Sequence, residues 1–195
     1  LALTAVLILV LSFTPAARST PSLWDGSSSN VFGLGANWAG GIAPSSSLGS
    51  TDLIFGTSLG AIDPVVNVAP FSAHSIVFSD PSEAYTFSGN AFNIGLGGIV
   101  NNSSQTITFG NAINFSGVAN SSIEVAAAGG VMTFNDVVTM ATDTLTLTGP
   151  GLVKLGNTGS LAVGSLKTLQ VNRNLEVDGG QLTRAYGNDG SELLI

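Results

Sequence analysis

Ile107-Thr108-Phe109 followed by Asn111, and Met132-Thr133-Phe134 followed by Asn135, are two versions of one phrase. It occurs three more times, as Tyr85-Thr86-Phe87 then Asn90, Val153-Lys154-Leu155 then Asn157, and Leu175-Glu176-Val177 then Asp178. The closing polar residue returns about every 21 to 24 positions, the spacing at which short strands stack into a solenoid. Side chains alternate along a strand, so the outer two residues of each triplet point inward and the middle one points out. That alternation assigns Thr86, Thr108, Thr133, Lys154 and Glu176 to solvent.

Two further strand families keep step with the phrase. One contains Phe92-Asn93-Ile94, Ile113-Asn114-Phe115, Val138-Thr139-Met140, Leu161-Ala162-Val163 and Leu182-Thr183-Arg184. The other begins near Ile99 and runs through Ile123-Glu124-Val125, Leu145-Thr146-Leu147, Leu169-Gln170-Val171 and Leu193-Leu194-Ile195. The fold expected is all-β: a right-handed parallel β-helix with three short strands per coil, neighbouring coils about 4.8 Å apart. Like residues then lie above like residues. Phe87, Phe109 and Phe134 should stack inside, and Asn90, Asn111, Asn135 and Asn157 should form a corner ladder of amides bonded to one another and to corner backbone.

Composition narrows the possible partners. Of 195 residues only 9% are charged, against a usual share of roughly a quarter. Five Lys and Arg face twelve Asp and Glu, a balance that opposes a phosphate backbone and so excludes nucleic acid from the expected partners. With no Cys, neither a disulfide framework nor a thiolate metal site can form.

The ends of the sequence differ in texture from its middle. Residues 1–13 are apolar apart from Thr4 and Ser12, and Ala17 and Ser19 supply the small residues of a cleavage site, so residues 1–19 read as part of a secretory signal peptide. They are too short for a membrane span of roughly 20 residues, and no other stretch of the chain resembles a span. The missing initiator Met implies that the reading frame begins further upstream. Residues 20–63 hold both tryptophans, Trp24 and Trp38, and read as an N-terminal cap over the open end of the coils. Residues 64–195 form the coils, and with no stop signal before Ile195 the chain is expected to continue beyond it.

On these residues the sequence resembles the autotransporter-associated β-strand repeat family of exported bacterial surface proteins. The resemblance centres on Gly149-Pro150-Gly151-Leu152-Val153-Lys154-Leu155-Gly156-Asn157-Thr158, similar to that family's Gly-x-Gly-x-Leu-x-Lys-x-Gly-Asn-Thr pattern. Leu169-Gln170-Val171 and Leu175-Glu176-Val177-Asp178-Gly179-Gly180-Gln181-Leu182 continue it. Trp24-Asp25-Gly26, Asn37-Trp38, Pro44 and Asp52-Leu53-Ile54-Phe55 look like the family's opening module. Gly159-Ser160 stands where the family has Tyr-x-Gly. The resemblance implies a secreted or cell-surface passenger-like protein, and leaves open a fused barrel, a sorting tail or plain export.

Parallel β-helices also carry enzymes that act on acidic polysaccharides with clustered carboxylates, often with Ca²⁺ or an Arg base. This chain offers few such groups. Asp136 and Asp143 stand at opposite ends of one strand and read as turn residues. Asp178-Gly179-Gly180 and Asn188-Asp189-Gly190-Ser191-Glu192 lack the ligand spacing of known calcium loops and read as corners. His74, the only histidine, reads as strand-flanking, with no Ser-Asp or Cys arrangement nearby. Asn102, Asn114 and Asn120 open Asn-x-Ser sequons, which arise readily in a Ser- and Asn-rich chain. No catalytic, metal or cofactor-binding residue and no cofactor is therefore expected. The reading is a non-catalytic structural or adhesive surface stalk, whose partner would be a cell-surface or extracellular polysaccharide or protein. The alternative is a carbohydrate-active enzyme or carbohydrate-binding module on the same scaffold.

Overall fold

The computed structural model describes residues 20–57, 60–79, 83–117, 119–163, 167–172, 174–184 and 192–194. The expected signal peptide at 1–19 and the corner at 188–191 lie outside the described residues. The described chain is nearly all strand, its one helical element being the short 3-10 turn Gly35–Asn37. Every strand pairing is parallel, and the strands stack as a parallel β-helix of about five turns.

The phrase strands lie in register on the first face. They are Tyr85–Gly89, Thr106–Phe109, Val131–Phe134, Leu152–Leu155 and Asn174–Val177, with Val65–Val66 beneath the first. Tyr85 pairs with Ile107, Ile107 with Met132, Met132 with Val153, and Val153 with Leu175. The inward residues are buried through Leu155 and the middle residues face outward. Phe87 stacks on Phe109 at 5.1 Å between ring centroids, and Phe109 on Phe134 at 5.3 Å with the rings 8° from parallel. Stacked rings contribute about 0.5–1.5 kcal/mol each beyond the area they bury.

The second face keeps the expected register throughout: Phe92 to Ile113, Ile113 to Val138, Val138 to Leu161, and Leu161 to Leu182. The third face departs from it once. Ile123 pairs with Leu147, two residues beyond Leu145, which pairs with Ser121 instead. A two-residue offset keeps every apolar side chain on the same face, so alternation alone cannot distinguish the two pairings. The second and third faces are also one hydrogen-bonded sheet. The strands Phe71–Phe78 and Phe92–Asn101 each turn the corner between the faces without a break.

Residues 20–63 add rungs to this sheet. Ser22–Trp24 pairs with Asp52–Phe55, which pairs in turn with residues 75–78. Between these rungs the chain covers the three rows of edge groups. Phe32 donates its N–H to Val65 O and Val65 donates to Asn30 O on the first face. Ser47 N donates to Ser72 O on the second, and Ser72 N donates to the Ser46 hydroxyl. On the third, Ala39 N donates to Leu23 O beside an antiparallel bridge between Trp24 and Trp38. Covering an edge in this way removes a template for unwanted strand pairing.

The two tryptophans are buried and meet edge to face at 5.2 Å. Their indole N–H groups donate to Ala61 O at 3.0 Å and Phe32 O at 2.7 Å, which lets the rings be buried without an orphaned donor. The side chain of Asn37, which is fully buried, accepts from Ser28 N and Ser29 N and donates to the Ser29 hydroxyl and Val31 O.

Candidate functional site

The coil period brings three polar side chains together at the corner between the second and third faces. Asp52 pairs across the ladder with Ser75, and the ladder is irregular beside it: His74 alone, between Ala73 and Ser75, opposes Gly95, Leu96 and Gly97, a bulge in the next coil. His74 Nδ1 lies 2.8 Å from Asp52 Oδ1, and the Ser75 hydroxyl donates to the same oxygen at 2.5 Å. A carboxylate only accepts, so this pairing assigns the ring hydrogen to Nδ1. His74 and Ser75 are both 8% exposed. A Cβ at Gly97 would stand 2.6 Å from Ser75 Cβ and 2.8 Å from the imidazole, so glycine is needed where the next coil crosses His74 and Ser75.

The chemistry available to this cluster follows from its connectivity. In a nucleophilic triad the hydroxyl hydrogen-bonds to the imidazole, and the carboxylate holds the far side of the ring. Here the Ser75 hydroxyl and the imidazole Nδ1 both point to the same carboxylate oxygen, so Ser75 is not placed as the hydroxyl of such a relay. The cluster instead ties residues 45–52 to the coil above. His74 N donates to Thr51 O at 2.6 Å, and the Thr51 hydroxyl donates to Ser45 O at 2.5 Å. The sequence reading of His74 as a residue without Ser-Asp neighbours is thus corrected. The signal was present in the 22 and 23 residues separating His74 and Ser75 from Asp52, one coil period.

The other acidic candidates have separate partners. Asp136 Oδ1 accepts the N–H of Val137 at 2.7 Å, a local turn bond, and Asp143 accepts from Lys167 Nζ at 3.0 Å. Asp178 at 2.7 Å and Glu176 at 3.1 Å both receive Lys154 Nζ. The hydrogen bond to Asp178, then that to Glu176, raises the Lys154 ammonium above its ordinary value of 10.5. Among the described residues no group of three or more His, Asp or Glu is placed to hold a metal ion, and no helix is long and apolar enough to cross a membrane.

The expected corner ladder of amides forms only in part. Asn111 Nδ2 donates to the backbone O of Asn90 at 2.8 Å, while Asn111 Oδ1 has no partner. Asn135 accepts the Thr158 hydroxyl through its backbone O, and its amide lies over Gly156, where a Cβ would collide with Oδ1. The phrases close at unequal distances from their last inward residue: three after Phe87, two after Phe109 and Leu155, one after Phe134 and Val177. The amides therefore fall out of line. Side-chain amides bond to each other on the second face instead, where strand register aligns them: Asn114 Nδ2 donates to Asn93 Oδ1 at 3.1 Å, and Asn93 Nδ2 to the Ser72 hydroxyl at 3.4 Å. Asn114 is thus a member of this outward ladder. Asn102 and Asn120 are exposed, and of the serines that close their sequons Ser104 is exposed and Ser122 half-buried.

Every described aromatic side chain is buried. The outward columns consist mainly of Thr, Ser, Asn and Ala, joined by Lys154 and Glu176 on the last phrase strands. Compared with protein families, curated proteins and solved structures, the chain matches none.

Proposed function

We propose that this chain is a non-catalytic, exported β-solenoid that serves as a structural or adhesive stalk at a cell surface, of the kind implied by its resemblance to autotransporter-associated repeats. One observation carries the reading: most of the described groups capable of chemistry are turned inward or committed to holding the chain. The rings fill the core, Asp52, His74 and Ser75 secure a loop, and Lys154 pairs with Glu176 and Asp178. Glycan-binding faces draw on exposed aromatic platforms, and hydrolytic faces on paired carboxylates at working distance. The outward columns offer uncharged hydroxyls and amides, suited to keeping a rod soluble and to broad weak contacts with a surface polysaccharide or protein.

The test is incubation of the purified protein with a panel of acidic and neutral polysaccharides. The expected result is no turnover and no new unsaturated or reducing ends. Cleavage of any member would transfer the assignment to a carbohydrate-active enzyme on the same scaffold. Export is tested separately by expressing the full reading frame in a bacterial host and sequencing the released protein, which is expected to begin at Thr20. Retention in the cytoplasm with residues 1–19 intact would remove the surface assignment.

A further inference from the structure

We infer that residues 40–46 are a site of limited proteolysis: a protease whose specificity pocket takes a branched aliphatic side chain hydrolyses the Ile42–Ala43 bond, and the two parts stay together after the cut. As the amide C–N bond breaks, water supplies the hydroxyl of the new Ile42 carboxyl group and a hydrogen of the new Ala43 amine. The inference rests on composition and fold and is independent of the proposed surface role.

Composition removes the commonest alternatives. Serine proteases divide by whether the specificity pocket accepts a cation, an aromatic ring or a small aliphatic group. Between Arg18 and Lys154 the sequence has no Lys or Arg, so no bond there suits a cation-specific enzyme. All the aromatic residues in the same stretch are buried, which hides the bonds an aromatic-specific enzyme would need. Aliphatic residues are left.

The fold then selects one place. Ile42 is 77% exposed, more than any other described large apolar residue. It follows Gly40 and Gly41, and nothing lies within 4 Å of where a Cβ would stand on either. Gly41 N donates to Trp38 O, and the Ser46 hydroxyl accepts from Ser72 N. Between these anchors the N–H groups of Ile42, Ala43 and Ser45 bond to no described residue. Nicking concentrates in exposed loops of this kind, where the chain can be drawn out without breaking a ladder.

The other exposed apolar residues are held. Leu23, Val137, Val177 and Leu182 lie in paired strands, and Leu96 sits in a bulge whose flanks, Ile94 and Gly98, are both paired. Leu34 donates its N–H to Val31 O and accepts from Asn37 N, while Val68 occupies the short connection between Val66 and Phe71. Contacts that do not pass through residue 42 join the two sides of the bond. Ser22–Trp24 pairs with residues 53–55, Val31 bridges to Val65, and Phe32 packs edge to face on Phe71 at 4.8 Å and on Phe92 at 5.5 Å.

Timed digestion of the full chain with an elastase that accepts Val and Ile, read by mass spectrometry, tests the inference. Within residues 20–195 the first cut is expected at Ile42–Ala43, and the fragment ending at Ile42 should co-elute with the remainder on gel filtration until denaturant is added. Ile42→Lys should transfer the sensitivity to trypsin, which is expected to cut at position 42 at least about tenfold faster than at position 139 in Thr139→Lys, an exposed position within a paired strand. A first cut elsewhere in that range, trypsin cutting of Ile42→Lys no faster than of Thr139→Lys, or a fragment that elutes alone in buffer would overturn the proposal.

Discussion

Residues 20–63 and residues 85–184 send strands into the same parallel sheet, yet they satisfy their backbones in different ways. In the repeating turns each strand finds its partners in copies of itself one coil away, so a shared pattern is enough and many different residues serve. Tyr85, Ile107, Met132 and Val153 occupy one inward column with little in common beyond being apolar. The described strands of residues 20–63 pair with one another and with later turns. Closure falls to individual side chains with unique partners: Asn37 makes four hydrogen bonds and each indole N–H finds one carbonyl. Repetition tolerates substitution, and closure does not.

The contrast can be broken most sharply at Trp38. Trp38→Ala should cost about 3–5 kcal/mol, since it removes a buried ring packed on Trp24 and Phe32 and opens a cavity. Urea denaturation followed by circular dichroism measures it, and a loss below 1 kcal/mol would show that the N-terminal segment contributes no more than an ordinary coil. Asn37→Ala comes next. It leaves the N–H groups of Ser28 and Ser29 without their partner and takes one of two donors from the carbonyl of Val31, at about 1–3 kcal/mol. If Asn37→Ala proved harmless while Trp38→Ala was severe, closure would depend on area and not on specific polar bonds.

Within the coils the effects should be smaller. Asn135→Leu is expected to destabilise by about 1–2 kcal/mol, because a branched side chain must fit over Gly156 where the amide now lies. Thr139→Leu, at an exposed outward position nearby, should stay within about 0.5 kcal/mol of the parent. Equal melting temperatures for the two variants would erase the distinction between corner and face.

The smallest effect belongs to Lys154. Its folded-state value lies above the ordinary 10.5, so its ion pairs favour the fold at lower pH, and that contribution is lost as pH rises through the raised value. Lys154→Gln should therefore differ slightly from the parent at neutral pH and coincide with it in strong alkali. A gap that persists or widens above the ammonium's titration range would assign Lys154 a packing role instead.

Two classes of feature separate in how legible they were. The stacked column of Phe87, Phe109 and Phe134, the outward column of Thr86, Thr108 and Thr133, and the whole register of the second face follow from period and alternation. Features depending on the length of an irregular corner did not. The amides of Asn90, Asn111 and Asn135 share a period but sit at different distances from their strands, so the ladder formed on the second face through Asn93 and Asn114. The pairing of Ile123 with Leu147 was equally hidden, because a slip of two residues leaves the apolar pattern unchanged. The Asp52, His74 and Ser75 cluster lay between these cases: its spacing was written in the chain, but the bulge of Gly95, Leu96 and Gly97 opposite His74 was not.

The sequence by itself determined that strands a little over twenty residues apart would lie on one another, because alternation and period specify which residues share an inward column. Tertiary structure alone decided how the starting edge is sealed, that two of the faces join into one sheet, and which polar groups meet at the corners. Those outcomes depend on the path of the chain between strands. There, each backbone group finds its partner through three-dimensional proximity, and no periodic pattern records it.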